Sequence, residues 1–395
     1  MSTIISLAIE TSCDETAVAV VKKTDQGVLV LSNAVSSQVK LHAKWGGVVP
    51  NLAAREHVKN ITRMLELALE EAQITPAQID LLSITNGPGL IPALLVGTTF
   101  AKNLAYLWEK PLVGIHHIEG HIYANFVTNK ISSISKKITV SKLKNIKKND
   151  ASLLENCELK IENSQDMKFP ILCLVVSGGH TQLVLMKDHF KYKIIGQTLD
   201  DAVGEAFDKV ARILNIGYPG GPAVSKYAEK YDIRNTKYEI RLPRPMLNKK
   251  NFNFSFSGLK TAVLYEAKKN PELLKDKKYV AALCHEFQQA AVDVLVQKTL
   301  KAAEEFQPKT IMLAGGVSAN KQLREQLGNA IQSLSYLSNQ SHPSYFTPAL
   351  NLTGDNAAMI ATAAALRWEK MSETQKKKAL LGWQTIQPDA NLKLK

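Results

Sequence analysis

Apolar residues recur along this chain at two periods, and their alternation predicts an α/β fold. Residues 4–9 alternate like a half-buried strand, Glu10-Thr11-Ser12-Cys13-Asp14-Glu15-Thr16 forms a polar turn, and residues 17–21 resume as a second strand. A helical period follows over about 54–73. Next come a strand at 81–85, the loop Asn86-Gly87-Pro88-Gly89-Leu90, a helix to about 107 and a strand at 112–115. The second half restarts in the same way: strand 171–176, the turn Ser177-Gly178-Gly179-His180-Thr181, and strand 182–186. Helices are predicted at about 205–214, 279–306 and 356–370, with a strand at 310–313. The run Gly217-Tyr218-Pro219-Gly220-Gly221-Pro222 reads as a helix stop. Phe252, Phe254 and Phe256 alternate among Arg241, Arg244, Lys249, Lys250 and Lys260, a pattern that favours a strand burying one face over a contact with nucleic acid.

This patterning divides the chain into four parts. Residues 1–126 form a first lobe and 169–370 a second. Between them, 127–168 is rich in Lys, Ser and Asn with little periodicity, which predicts a largely disordered basic insertion; a tether for nucleic acid is the alternative. Residues 371–395 make a lysine-rich C-terminal tail.

Composition sharpens the picture. At 395 residues and 45% hydrophobic, the chain is long enough for two packed lobes. The formal charge of +13 favours a polyanionic partner over a neutral small molecule alone. Four cysteines, none in a C-x-x-C pair, fit a reduced cytoplasmic setting. Met1 to Glu10 lacks a basic leader region and a cleavage site, and no apolar run is long enough to span a bilayer. The chain is therefore expected to begin at residue 1 or 2 and to have no membrane partner.

Candidate chemistry concentrates in Ile115-His116-His117-Ile118-Glu119-Gly120-His121-Ile122-Tyr123. On a helix, His117 and His121 share one face and could hold one metal ion; a pair of histidines on a polar helix face is the alternative. In the zinc-protease pattern H-E-x-x-H the glutamate follows the first histidine directly. Here Glu119 falls two positions later, about 200° round the helix, which disfavours that chemistry. Asp355, ahead of an alanine-rich helix, reads as an N-cap whose second oxygen stays free for a metal. The glycine pairs Gly178-Gly179 and Gly315-Gly316 follow strands, where backbone N–H groups can meet a phosphate. Neither G-x-x-x-x-G-K-[ST] nor G-x-G-x-x-G occurs, so P-loop and Rossmann binding are unsupported.

Taken together, Glu10-Thr-Ser-Cys-Asp-Glu-Thr16, His116-His-Ile-Glu-Gly-His121, Val176-Ser-Gly-Gly-His-Thr181, Gly204-Glu-Ala-Phe-Asp-Lys209, Tyr218-Pro-Gly-Gly-Pro222, Ser255-Phe-Ser-Gly-Leu-Lys260, Gly315-Gly-Val-Ser-Ala-Asn320 and Asp355-Asn356 resemble the bacterial TsaD family, tRNA N6-adenosine threonylcarbamoyltransferases once labelled glycoproteases. The resemblance spans nearly the whole chain. It departs at the basic insertion, at the tail, and at Ser225, where members often carry a carboxylate near the substrate ribose.

It implies a two-lobed ASKHA fold, that of actin, hexokinase and the heat-shock chaperone ATPases, with duplicated mixed-sheet subdomains. It implies one divalent metal, iron(II) first and zinc second, on His117, His121 and Asp355. Threonylcarbamoyl-AMP would lie against Val175, Val176, Ser177, Gly178, Gly179, Asp208, Gly221 and Asn320. The acyltransferase reaction would modify the exocyclic amine of the adenosine 3′ of the anticodon in tRNAs reading codons that start with A, releasing AMP, with TsaB-like and TsaE-like partners. Asp14 and Glu15 are the candidates for proton handling or substrate orientation. The rivals are a small-molecule kinase of the same fold, a metalloendopeptidase, and a non-catalytic scaffold relative lacking the metal ligands.

Overall fold

In a computed structural model describing residues 3–128, 167–231, 238–334 and 342–394, the apolar strands assemble into two sheets of one design. In the first, β1 (Ile4–Glu10), β2 (Glu15–Thr24), β3 (Gly27–Ser37), β4 (Leu81–Gly87) and β5 (Leu112–His116) take the order β3-β2-β1-β4-β5. β1 pairs antiparallel with β2 and parallel with β4. In the second, β6 (Ile171–Val176), β7 (Thr181–Asp188), β8 (Lys191–Gln197), β9 (Thr310–Ala314) and β10 (Ser344–Phe346) take the order β10-β9-β6-β7-β8. β6 again pairs antiparallel with the next strand and parallel with β9. Each half places its first strand at the centre, so the two-lobed, duplicated α/β architecture is what the chain adopts.

Packing explains the run of apolar residues in β1. Leu7 and Ile9 face a cluster completed by the helices Pro50–Ala72 and Ile91–Leu107, while Ala8 faces the opposite way. On that second side lies the helix Ala357–Lys370, wedged into one cluster with Ala17 and Ala19 of β2 and with Cys173, Val175 and Val184 of the second sheet. Its alanines carry too little side chain to hold a sheet away, so the helix is buried from Ala357 to Ala365. Although it lies late in the chain, it packs along β1, β2 and β3 and against the histidine helix. The C-terminal stretch, read from sequence as a tail, also joins the first lobe. Helices Glu373–Ala379 and Gly382–Thr385 fold back, with Trp383 and Ile386 against the β1 cluster.

Several expectations are corrected. Strands β3, β8 and β10 and the helix Ser257–Lys269 escaped the periodicity reading. The run at 217–222 does follow the end of the helix Val203–Ile213, but it also opens another, Gly220–Ala228. Phe252, Phe254 and Phe256 are buried as their alternation suggests, yet they form no strand: Phe254 bridges Thr198 in an otherwise extended segment. Residues 129–166, most of the basic insertion, lie outside the described residues. Its near end is tied down, with Thr128 N donating to Val28 O. Among the described residues, no helix is long and apolar enough to cross a membrane.

Candidate functional site

The helix His117–Tyr123 begins where β5 ends. His116 is its N-cap, with Nδ1 accepting from Ile118 N, and its Nε2 donates to Leu392 O in the folded-back C-terminal stretch. One turn apart and buried, His117 and His121 set their rings edge to face with centroids 4.6 Å apart. Asp355 arrives from the turn before the helix Ala357–Lys370. It is not the cap, because Asn356 Oδ1 accepts from Met359 N. Relieved of capping, the Asp355 carboxylate points at the imidazoles. Its Oδ1 lies 3.2 Å from His121 Nε2 and 3.5 Å from His117 Nε2.

These three groups fit a metal ion. Ligands about 2.0–2.2 Å from a tetrahedral ion stand roughly 3.3–3.5 Å from one another, close to the separations seen here. Both ring nitrogens of His121 are buried without a hydrogen bond, although a carboxylate oxygen is near, so proximity without alignment leaves its lone pair available. A buried polar atom left unpaired costs about 1–3 kcal/mol, which a ligand bond offsets. Two imidazoles and a carboxylate suit zinc or iron(II) rather than calcium or magnesium. Among the described residues this is the one His/Cys/Asp/Glu group with such spacing.

A residue that sequence reading missed holds the first ligand in place. His117 Nδ1 lies 3.3 Å from Glu10 Oε2 and 3.1 Å from Ser12 Oγ, and Glu10 also accepts from Ser12 N and Thr85 Oγ1. With both Glu10 oxygens already receiving donors, Nδ1 keeps its proton in either charge state, and it is Nε2, toward Asp355, that becomes bare when the ring is neutral. Burial alone would raise the Glu10 carboxyl, but the His117 charge together with the hydrogen bonds from His117 and Ser12 holds it low. Burial likewise opposes ionisation of His117, yet Asp355 and Glu10 raise it to about 9. Asp355 sits well below the carboxylate range: its burial, which acts upward, is overcome by His117 and then His121.

The turn between β1 and β2 carries the two other acids. Glu15 Oε1 accepts from Ser37 Oγ, and burial, followed by the charges of Asp355 and Asp14, pushes its carboxyl well above the usual range. The protonated form of Glu15 is thereby favoured over the charged one. Asp14 is buried, and its charge reaches across to the second lobe. After burial, and against the Gly220 N–H that lowers it, Asp14 is among the groups that raise Asp208.

Asp208 borders a cavity of about 760 Å³ in the second lobe, walled also by Gly178, Gly221, Gly316, Ser225 and Asn320. Asp208 Oδ1 accepts from Gly220 N at 2.6 Å, fixing the start of the helix Gly220–Ala228 at the cavity edge. Asn320 caps the helix Lys321–Gln332 through Leu323 N, while its Nδ2 donates to Gln288 Oε1 and Ser225 Oγ. Two helix N-termini thus face the same space, where their N–H groups favour an anion. An added Cβ at Gly178, Gly221 or Gly316 would meet no atom within 4 Å, and none of the three has left-handed backbone. What those missing side chains leave open is the cavity itself. Of the other residues proposed from sequence, Val175 and Val176 are buried in β6, Ser177 Oγ accepts from His180 N to close the turn, and Gly179 is exposed. Those four support the wall without lining it.

His180, another residue the sequence reading did not single out, sits between the two parts. Burial, then the charges of His117, His121 and His116, pushes it down to about 4. Glu119 is buried in an ion pair with Arg367, which lies over the Phe190 ring. Its carboxylate faces away from the metal ligands, so the general base of a zinc protease is missing.

The family model described as TsaD, tRNA N6-adenosine threonylcarbamoyltransferase, matches residues 29–135 and 150–362. A curated tRNA N6-adenosine threonylcarbamoyltransferase of Syntrophomonas wolfei is 43% identical over 358 residues, 91% of each chain. That of Bacillus subtilis is 42% identical over 367 residues, 92% of this chain and 90% of the other. Among solved structures, HypF of T. kodakarensis superposes with a TM-score of 0.52 at 11% identity, covering 93% of this chain and 48% of that one, a likeness of fold alone.

Proposed function

Because the chain belongs to the TsaD family of tRNA N6-adenosine threonylcarbamoyltransferases, we propose that it transfers the threonylcarbamoyl group from threonylcarbamoyl-AMP to the exocyclic amine of the adenosine 3′ of the anticodon, in tRNAs reading codons that start with A. The amine nitrogen attacks the carbamoyl carbonyl carbon, the bond from that carbon to the phosphate oxygen breaks, AMP leaves with the electron pair, and the amine loses a proton.

One observation carries the reading: a buried metal-ligand triad and a glycine-walled cavity stand on either side of the same acidic turn. The cavity has the volume of a small-molecule site, and its two helix N-termini suit the adenylate phosphate. Gly178, Gly221 and Gly316 let backbone approach the nucleotide, while Asp208 and the Ser225–Gln288–Asn320 amide group offer polar contacts to it. His117, His121 and Asp355 would hold the metal, iron(II) with zinc as the alternative, and bound there it supplies Lewis-acid polarisation of a carbonyl or phosphoryl oxygen. Glu15 and Asp14, side by side in the acidic turn, orient the substrate or take up the amine proton. An excess of positive charge suits a tRNA, and a loop adenosine can be splayed into a pocket at modest cost. Partners of the TsaB and TsaE type and a cytoplasmic setting, where tRNA is found, complete the proposal.

The test supplies threonylcarbamoyl-AMP, unmodified tRNA and those partners, and measures modified nucleoside and AMP. Equimolar products are expected, and His117→Ala or His121→Ala should lose both transfer and metal while remaining folded. Full activity in a metal-free double variant would overturn the role given to the triad.

A further inference from the structure

Trp45 is about two-thirds exposed, one of the most solvent-facing large side chains among the described residues, and nothing in the transfer chemistry accounts for it. It ends the short turn Ala43–Trp45, which Gly46 closes in a left-handed conformation (φ 67°). The turn is rigidly tied. Buried His42 accepts from Val49 N through Nδ1 and donates through Nε2 to Gln38 Oε1. Gln38 in turn donates from its backbone N to Asp14 O at 3.1 Å, and through Nε2 to Ala53 O. Two hydrogen-bonded residues, His42 and Gln38, therefore link the turn that carries the indole to the acidic turn of the site.

The surroundings select the occupant. Lys40 and Lys44 precede Trp45 by five positions and one, and both are exposed. Across the cleft, an added Cβ at Gly46 would come within 3.8 Å of Arg212 Cδ, so the turn abuts the exposed end of the helix Val203–Ile213, which carries Asp208 into the cavity. An exposed indole on a turn that carries lysines, abuts Arg212 and is tied to the Asp14 turn matches the way single-stranded RNA is held: bases stack on aromatic faces while basic side chains meet phosphates. Resting on the transferase reading, we propose that Trp45 is a stacking platform for a base of the anticodon loop beside the target adenosine, with Lys40, Lys44 and Arg212 on the adjoining phosphates. A fixed platform holds the loop once the target base is splayed out. It lowers the KM for tRNA without touching the reacting atoms.

The experiment uses the full chain with its partners and full-length unmodified tRNA, comparing Trp45→Ala, Trp45→Leu and Trp45→Phe for tRNA affinity, for KM and kcat in transfer, and for binding of the purified partner proteins. Loss of one base stack weakens binding by about 5- to 150-fold. Trp45→Ala and Trp45→Leu are expected to raise the dissociation constant and the KM for tRNA within that range, with kcat at saturating tRNA, metal content and melting temperature unchanged. Trp45→Phe should restore most of the affinity, because Phe keeps a π-face and Leu keeps only apolar area. Lys44→Ala should instead flatten the dependence of log affinity on log salt by a slope of roughly 0.7–0.9. Unchanged tRNA affinity in Trp45→Ala would overturn the platform, as would rescue by Leu as well as by Phe, or lost partner binding with tRNA binding intact. Should the wild-type chain itself modify no tRNA, the transferase reading falls instead.

Discussion

Replacing Glu10 by Gln probes the metal centre without touching a ligand. The side chain is fully buried and keeps nearly the same volume, so the change is one of charge and hydrogen-bond polarity. In the wild type both carboxylate oxygens only accept: one from Ser12 N, the other from Thr85 Oγ1 and His117 Nδ1. An amide cannot do this. If its oxygen keeps Ser12 N, its NH₂ meets His117 and favours the tautomer with a bare Nδ1, which places the proton on Nε2, the nitrogen that faces Asp355. If its oxygen keeps His117, the NH₂ is pressed against Ser12 N–H and a buried donor goes unpaired. Either outcome weakens the ligand set. Loss of such an orienting carboxylate costs about 10- to 100-fold in metal affinity, or about 1.4–2.8 kcal/mol. Competition against a chromophoric chelator reads that affinity directly, with circular dichroism to show that the fold survives. Wild-type affinity in Glu10→Gln would mean that the tautomer of His117 is set by something else, and the account of the site would be wrong.

Two further outcomes follow from the same geometry. In the metal-free chain His117 is raised to about 9, so at neutral pH it carries a proton that a metal must displace. Metal uptake should then release a proton and weaken as pH falls below about 9, approaching roughly tenfold per pH unit; calorimetry showing heats independent of buffer ionisation would contradict this. At the cavity, Gly221→Ala fills space that no protein atom occupies and replaces glycine within a helix, so stability should hold or rise by up to about 1 kcal/mol while the KM for the activated nucleotide increases. A thermal melt paired with kinetics checks it, and an unchanged KM would place the nucleotide elsewhere.

What could be read from the chain, and what could not, follows from the range of the interactions. β6 is legible because burial on both faces writes a dense apolar run, β1 is found as a strand although it is buried on both faces rather than half-buried as its alternation suggests, and the helical spacing of His117 and His121 is a local property. β3 and β8 are edge strands with few fully buried residues, half-buried positions prevailing in β3 and half-buried alternating with exposed in much of β8, so their apolar signal is diluted. The phenylalanines at 252, 254 and 256 show that period-two alternation records which side chains are buried, not whether the backbone pairs with a neighbour. Glu10 was invisible as a ligand orienter because its partner lies 107 residues away in sequence. An acid at the end of a strand acquires that role only when β5 delivers His117 beside it. Asp355 was read as a cap because any Asp before an alanine-rich helix qualifies; the neighbouring Asn356 takes that duty and frees the carboxylate.

Chain order and physical lobes also part company at the site, and the separation matters for how it works. Asp355 belongs by sequence to the second half, but its helix packs along β1, β2 and β3 and against the histidine helix, so all three proposed ligands ride on the first lobe. The cavity is built from the second lobe alone: the β6–β7 turn, the helices that begin at Val203 and Gly220, and the Gly315–Asn320 turn. Each lobe contributes the turn after its central strand, acids from β1–β2 and glycines from β6–β7, at the strand ends where open α/β sheets receive ligands. Triad and cavity are thus each complete within one lobe and face each other across a gap where the charge of Asp14 bears on Asp208. Metal affinity and nucleotide affinity should therefore respond separately to mutations within each lobe, whereas contacts between the lobes, such as that of Gly46 with Arg212, bear on neither affinity directly.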